Sequence, residues 1–386
     1  MVFNSIFYDD SCDKIIKKCR KAPVVKSKFI LKQGHLYIRN KRLETLLKYV
    51  CLTKKYIYLG RCESEIEWFI SLKFKYLQKF QDQHNYEKGF RIGWGKSTVD
   101  FVCEDQWQVE NWVVVLKPLM VLTNIERDIQ IDGCVNMTKY SRVYRAHYKD
   151  TQKVVAVKAI KKNSKTNFAK NLKFEISIMK KIKHAETVKL IAVYENNENV
   201  FIVMQYLGGH DLQYSLRMMK RYSEREASVV IKRLLEIVSS LHKQGIIHRD
   251  LKPQNLLMKD SLNPTDFKLS DFGLACYSDA QKKSVCGTAG YMAPEVINAL
   301  SYSFSADVYS IGVIFFTLLS GVNPFTGSSR EQVMSENRKG RIRLKGELWK
   351  EVSRECRVVI STMTSVDPLE RLSCNEALKL SFFKEI

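Results

Sequence analysis

Residues 245–258 read GIIHRDLKPQNLLM, and no other stretch constrains the fold as strongly. Asp250, Lys252 and Asn255 put an acid, a cation and an amide within six residues. A carboxylate can accept a hydroxyl proton, a cation two residues on can neutralise a phosphoryl group in transfer, and an amide oxygen can ligate magnesium. Further along, KLSDFGLA (268–275) offers Asp271 on a turn loosened by Gly273, suited to bridging a metal to phosphates. Upstream, Lys158 closes the β-branched run VAVK, and Glu175 lies on the helical pattern FEISIMKKI (174–182), from which it can hold that lysine in place. Singly, each residue has a dull explanation. In this order and spacing, chance is negligible.

The patterns around this core predict an α+β chain. Strand-like runs SRVYRAHY (141–148), KVVAVKAI (153–160), VKLIAVYE (188–195) and NVFIVMQYL (199–207) precede long helical ones, REASVVIKRLLEIVSSLHKQG (225–245) and ADVYSIGVIFFTLLSG (306–321). A small β lobe followed by a larger α lobe predicts a cleft, where chemistry sits. Earlier, FILKQGHLYI (29–38), LLKYVCLTKKYIYL (46–59), IEWFISL (66–72) and FRIGWGKSTVDFVC (90–103) are β-branched and aromatic. They lead into EDQWQVENWVVVLKPL (104–119), where Val109, Trp112, Leu116 and Leu119 recur at helical spacing. Several strands closed by one helix predict an α-capped β-barrel. The boundaries read as an extension over 1–27, the barrel over 28–120, a linker over 121–127 and the second domain over 128–386.

The totals set limits. A chain of 386 residues with 45% hydrophobic content has room for two packed domains. Its 63 Lys and Arg against 41 acids give +22, which favours anionic partners: phospholipid surfaces, nucleotides or, without sequence preference, nucleic acid. No nucleic-acid motif accompanies the charge. The ten cysteines form no C-x-x-C pair or Cys/His cluster and read as reduced thiols. Met1–Cys12 lacks a basic head and apolar run, and residue 2 is Val, which argues against a secretory leader and against myristoylation. The longest apolar stretch, VYSIGVIFFTLLSGV (308–322), is too short and too interrupted to span a bilayer. The expected location is cytoplasmic, with any membrane contact peripheral.

VAVK, HRDLKPQN, DFG and APE (Ala293 to Glu295) occur in order, followed by DVYSIGV and DPLERLS. On these motifs residues 128–386 resemble the eukaryotic protein kinase family, and the DLKPQN form resembles its serine/threonine members. The resemblance implies a bilobal kinase fold, ATP and Mg2+ as cofactors, and transfer of the γ-phosphate to Ser/Thr of protein substrates. It makes Asp250 the catalytic base, Lys252 the steadying cation on the γ-phosphate, Lys158 the contact to the α and β phosphates paired to Glu175, and Asn255 with Asp271 the metal ligands. Gln205 and Leu207 match the hinge, Met204 the gatekeeper, and Val143, Ala156 and Leu257 the walls around adenine. Thr288 matches the threonine that supports the base, while Glu295, Arg371 and Asp307 match residues of the fold. The flavour is closest to calcium/calmodulin-type kinases, without an EF-hand loop or a regulatory tail after the last helix.

The phosphate lid departs from that family. Aligned backwards from Val143, the pattern G-x-G-x-x-G-x-V falls beside Val135 on Asn136, Thr138 and Ser141, with Tyr140 at the tip, so all three glycines are replaced. Thr138 is expected to be strained where the family's glycine has positive φ. An active kinase with weakened nucleotide binding is the favoured reading, and a noncatalytic scaffold is the alternative. Arg249 beside the base implies control by an activation-segment phosphate from an upstream kinase. The candidate hydroxyls are Tyr277, Ser278, Ser284 and Thr288, with Ser284 in KKSVCGT the choice over an ordinary loop serine.

The first domain resembles a pleckstrin homology (PH) domain over about residues 28–120, through KQGHLYI, LLKYVCLTKKYIYL and EDQWQVENWVVVL with Trp112. Residues 1–125 hold 22 Lys and Arg against 13 acids, or +9. The resemblance implies an anionic phospholipid or phosphoinositide site at Lys32, Arg39, Lys41, Arg42 and Lys48, although Leu46 stands where lipid-binding members carry a lysine. A module that packs on the kinase or binds protein is the other reading.

Overall fold

The computed structural model describes residues 16–19, 25–39, 45–72, 75–81, 87–94, 97–138, 141–162, 168–261, 263–278, 284–384 and 386. The chain divides into two compact units, Met1–Ala169 with Leu190–Tyr206, and Lys170–Lys189 with Leu207–Ile386.

In the first unit, β1 (Ile16–Lys18), β2 (Ile30–Arg39), β3 (Thr45–Thr53), β4 (Tyr56–Gly60), β5 (Ile66–Ser71), β6 (Tyr76–Gln81), β7 (Lys88–Trp94) and β8 (Ser97–Cys103) precede α1 (Gln106–Leu116). Asp105 caps α1, its carboxylate accepting from Gln108 N at 2.6 Å. The helix ends at Leu116, two residues before Pro118, so Leu119 lies beyond it yet still packs on the core. Its buried face, Val109, Trp112, Val113 and Leu116, meets Phe90 and Phe101, whose rings stack at 4.9 Å. Burying rings of this size contributes roughly 4 to 6 kcal/mol apiece at about 25 cal/mol per Å².

Among the described residues these strands do not close into the expected barrel. The hydrogen-bonded order runs open, β1-β5-β4-β3-β2-β8-β7-β6, and β6 turns its outer edge to β9 (Val121–Leu122) instead of to β5. A sheet edge leaves a row of N–H and C=O groups to satisfy, and here a later segment satisfies them. The residues read as a linker are ordered as β9 and α2 (Ile125–Asp128).

The same β9 pairs in parallel on its other side with β13 (Leu190–Glu195), reached after β10 (Ile129–Met137), β11 (Ser141–Tyr148), β12 (Val154–Lys161) and the helix α3 (Phe168–Lys181). β14 (Asn199–Gln205) completes a sheet of fourteen strands. The period of two assigns the faces of the second half of this sheet. Val155, Val157, Tyr194, Phe201 and Val203 point one way, into one apolar core with Trp112, Val113, Leu116 and Phe90. Val143, Ala156, Lys158 and Met204 line the other face, since Val143 pairs with Lys158 and Ala156 with Met204.

The second unit is helical. After all but the start of α3 come α4 (Leu212–Met219) and α5 (Glu224–Lys243), the latter opened by a Ser223/Glu226 capping box. The short pairs β15 (Ile246–Ile247) with β18 (Cys276–Tyr277), and β16 (Leu256–Met258) with β17 (Phe267–Leu269), frame a loop. Beneath it run α6 (Pro294–Ile297) and the buried α7 (Ser305–Ser320), which stops at Gly321 with φ 78°. Glu295 and Arg371 form a bidentate pair at 2.6 and 2.8 Å in this core, their side chains 4% and 0% exposed.

Candidate active site

The loop from Ile247 to Asn255 is held from below by one buried acid. Asp307 accepts from His248 N and Arg249 N, each at 2.9 Å, and meets His242 Nε2 at 2.9 Å. Burial alone would push its carboxyl up, but the hydrogen bond and charge of His242, with His248, hold it below the usual carboxylate range. This anchoring lets Arg249 adopt φ 66°, a left-handed conformation that non-glycine residues take only when their surroundings impose it.

Asp250 follows, and its carboxylate is bracketed. Thr288 Oγ1 donates to Oδ1 at 2.6 Å, and Lys252 Nζ donates to Oδ2 at 2.7 Å and to Thr288 Oγ1 at 2.7 Å. Asn255, 6% exposed on a 3-10 turn (Pro253–Asn255), donates Nδ2 to Asp250 O at 2.8 Å. Its backbone carbonyl accepts from both Ser270 N and Ser270 Oγ at 2.9 Å, which ties the loop to the residue before Asp271. Asp271 itself sits at φ 59°. Gly273 does not supply a left-handed turn here. It allows close approach: a Cβ there would lie 3.3 Å from Asp271 Oδ1 and 3.5 Å from Glu175 Oε2. Buried Phe272 packs edge-on against His248 at 5.2 Å.

The structure therefore brings Asp250, Lys252, Asn255 and Thr288 into one hydrogen-bonded group, with Asp271 and Glu175 both bordering Gly273. Lys158, Val143, Ala156 and Met204 share a sheet face in the first unit, where β14 ends at Gln205. Leu257 lies on β16, bridged to Asp211 at the cap of α4.

The lid differs from its expectation. Asn136, Thr138 and Ser141 all have negative φ, so Thr138 carries no such strain. Two irregularities interrupt the β10–β11 register ahead of the tip, at Ile131/Gly133 and Cys134/Asn136. The tip is locked by side chains. Thr138 N donates to Ser141 O at 2.8 Å, Ser141 N donates to Thr138 Oγ1 at 3.0 Å, and the two hydroxyls lie 3.0 Å apart. Val135 is 59% exposed, and Tyr140 lies outside the described residues.

Ser284 Oγ stands 3.3 Å from Arg249 Nη1 and 3.3 Å from the Tyr302 hydroxyl, which also accepts from Arg249 at 2.9 Å. Motif reading missed Tyr302, because a lone tyrosine between a loop and a helix has no signature. Of the other hydroxyls, Tyr277 is built into β18 with Ser278 directly after it.

The cations expected at a lipid site do not gather free. Arg39 pairs with Glu87, Lys48 with Glu67 at 3.3 Å, and Lys32 Nζ lies over the Trp112 ring at 5.4 Å. Lys41 and Arg42 lie outside the described residues.

Residues 137–383 match the family model for the protein kinase domain. Myosin light chain kinase A of Dictyostelium discoideum is 32% identical over 266 residues, 68% of this chain and 90% of that protein. Calcium/calmodulin-dependent protein kinase type 1 of Macrobrachium nipponense is 34% identical over 241 residues, 62% of this chain and 70% of its own. Calcium-dependent protein kinase 3 of Plasmodium berghei is 33% identical over 249 residues, 63% and 45% of the two chains. The chain belongs to the protein kinase domain family. Within it, the chain is homologous to serine/threonine kinases of the calcium/calmodulin-dependent type. The matched region leaves β1–β8 and α1 outside it, and no PH domain is identified there. Among the described residues no helix is long and apolar enough to cross a membrane.

Proposed function

We propose that the chain is a catalytically competent, ATP-dependent serine/threonine kinase in which Asp250 accepts the proton of the acceptor hydroxyl. The observation that carries this reading is the bracket on Asp250. Thr288 and Lys252 fix both carboxylate oxygens within 2.7 Å, and each oxygen keeps lone-pair capacity for an incoming hydroxyl. Lys252 holds its cation beside the base, where it can neutralise charge on the phosphoryl group. Lys158 is assigned to the α and β phosphates, with Glu175 as the ion partner that the family resemblance implies for it, and Gln205, Leu207, Val143, Ala156 and Leu257 to adenine.

The donor set suits magnesium. Asn255 spends Nδ2 on Asp250 O, which leaves its amide oxygen as the group that would ligate a metal, while Asp271 adds a carboxylate. Bound magnesium supplies charge neutralisation for phosphate oxygens.

A scaffold reading draws support from the lid. Its Ser141 N–H is already satisfied by Thr138, so a nucleotide gains less from it than from an open glycine loop. Phosphorylation of a generic Ser/Thr peptide across a wide ATP range decides between the two. Turnover that disappears in Asp271→Ala supports the kinase. Absence of turnover at saturating ATP, after treatment with an activating kinase, replaces it with the scaffold.

The N-terminal module is assigned as PH-like from its two antiparallel meanders, β2–β5 and β6–β8, joined through β2 and β8, and from its closing helix. Its role is to cover the outer face of the small-lobe sheet, with anionic lipid attraction secondary, because Arg39 and Lys48 are already paired. Ser284, 3.3 Å from Arg249, is assigned as the activating phosphosite.

A further inference from the structure

Residues 337–346 read NRKGRIRLKG and hold five cations without an acid. They run from the end of α8 (Arg330–Lys339) to the start of α9 (Glu347–Glu351). Two of the five have an ordinary explanation. Arg338 and Lys339 sit in the last turn of α8, where a cation complements the helix dipole, and Lys339 also meets Glu336 at 2.6 Å. Arg341, Arg343 and Lys345 lie beyond the helix and gain nothing from it. The acids that follow are engaged elsewhere, Glu347 with Lys350 at 2.7 Å and Glu351 with Arg221 at 3.4 Å. All three cations are exposed, and none has an ion partner among the described residues.

Both ends of this strip are fixed. Upstream, buried Asn337 donates Nδ2 to Met292 O, and Gly340 turns the chain at φ 62°, where a Cβ would lie 3.1 Å from Pro294 Cγ. Downstream, buried Trp349 packs on Phe316 of α7 at 4.8 Å between ring centroids. In between, exposure alternates, with Ile342 and Leu344 half-buried between the cations, so Arg341, Arg343 and Lys345 share one side. Along an extended chain such side chains repeat about every 6.5 Å.

The upstream tether sets where the strip lies. Met292 and Pro294 belong to the same segment as Thr288, whose hydroxyl donates to Asp250 Oδ1 at 2.6 Å. Met292 is four residues past Thr288, and Arg341 is four past Asn337. Each of those spans reaches at most about 14 Å. A protein whose hydroxyl meets Asp250 therefore has its neighbouring residues within range of these cations. Three aligned cations repel one another until an anion joins them, and an extended segment with a carboxylate at every second position has the same repeat.

We propose that Arg341, Arg343 and Lys345 form a docking strip for an acidic stretch of the protein substrate, to one side of its acceptor residue. The inference rests on the reading of the chain as a serine/threonine kinase and narrows its substrate class. An anionic membrane offers the same charge, and the tether to the segment that carries Thr288 is what favours a substrate instead.

Steady-state phosphorylation by the full chain, treated with an activating kinase, tests the strip. The substrates are a generic Ser/Thr peptide and the same peptide extended, through a Gly/Ser spacer, by a run of Glu at its N-terminus or at its C-terminus. One of the two extensions should lower the peptide KM ~10-fold at unchanged kcat, a gain that shrinks in high salt. Arg341→Gln with Arg343→Gln and Lys345→Gln should abolish the gain while leaving Tm and turnover of the unextended peptide as in the wild type. Equal KM for all the peptides, or a gain that survives in the triple variant, overturns the strip and leaves the kinase reading standing. Absence of turnover with every peptide overturns the kinase reading, and with it the assignment of a substrate. Fluorescence anisotropy of a labelled Glu-run peptide then judges the strip alone: saturable binding lost in the triple variant supports acidic docking, and equal binding removes it. Co-sedimentation with phosphatidylcholine vesicles containing phosphatidylserine tests the rival. Retention that falls in the triple variant, without any gain from an acidic extension, assigns the strip to a membrane and overturns the proposal.

Discussion

The catalytic loop and the phosphate lid solve opposite problems with similar means. Around Asp250, the nearby Lys252 and Asn255 are joined by partners from distant parts of the sequence, Thr288 and, through the backbone of Arg249, Asp307. At the lid tip the partners are local, Thr138 and Ser141, three residues apart, and they satisfy backbone groups that a phosphate would otherwise use. The first arrangement holds reactive groups ready without consuming them. The second consumes its donors in advance. Chemistry and nucleotide affinity are therefore separable in this molecule, and substitutions should move one without the other.

The largest effect is expected at the base. Asp250→Asn keeps the size of the side chain and should lower kcat by ~10³-fold or more, with KM for ATP and the melting temperature little changed. A residual kcat near wild type would remove Asp250 from the reaction. Next comes the frame beneath the loop. Arg371→Leu leaves Glu295 charged and buried, and should cost about 3 to 5 kcal/mol of stability in denaturant unfolding. A loss under ~1 kcal/mol would mean that water reaches the pair.

The lid tests the other half of the contrast. Thr138→Gly removes the hydroxyl that occupies the Ser141 N–H and frees that donor, worth ~1.5–3 kcal/mol against a phosphate. The added chain freedom of one glycine costs roughly 0.5–1 kcal/mol, so the net expectation is a several-fold lower KM for ATP at constant kcat. A KM that does not fall breaks the distinction between the two regions. The smallest effect belongs to Ser284→Ala, expected to reduce activity a few-fold after treatment with an activating kinase, without shifting Tm. Equal activity would return Ser284 to an ordinary hydrogen-bonding role beside Arg249 and Tyr302.

Legibility from the sequence followed the range of the interaction. The kinase region was readable because its chemistry is packed into short motifs such as HRDLKPQN and DFG, and the strands and helices around them have strong periodicity. β10 escaped notice because most of it is exposed, so it has no alternation to read. Strain at Thr138 was expected from the family's glycine, but the hairpin, with its interrupted register, keeps negative φ there. The N-terminal strands were visible one by one, while their open order was not. That order depends on β9, two residues long, pairing with strands about 45 residues before and 70 after it. Tyr302 was invisible for the same reason, since only the fold brings it to Arg249.

The shared core behind β12 and β14 has a consequence for how such chains are rearranged. A catalytic domain cut where its family match begins, at residue 137, would present Val155, Val157, Phe201 and Val203 to water on one continuous face. Such a patch favours self-association. Trading this catalytic domain with a relative's would therefore require a redrawn outer sheet surface as well as a new junction. In this chain neither part finishes its own surface.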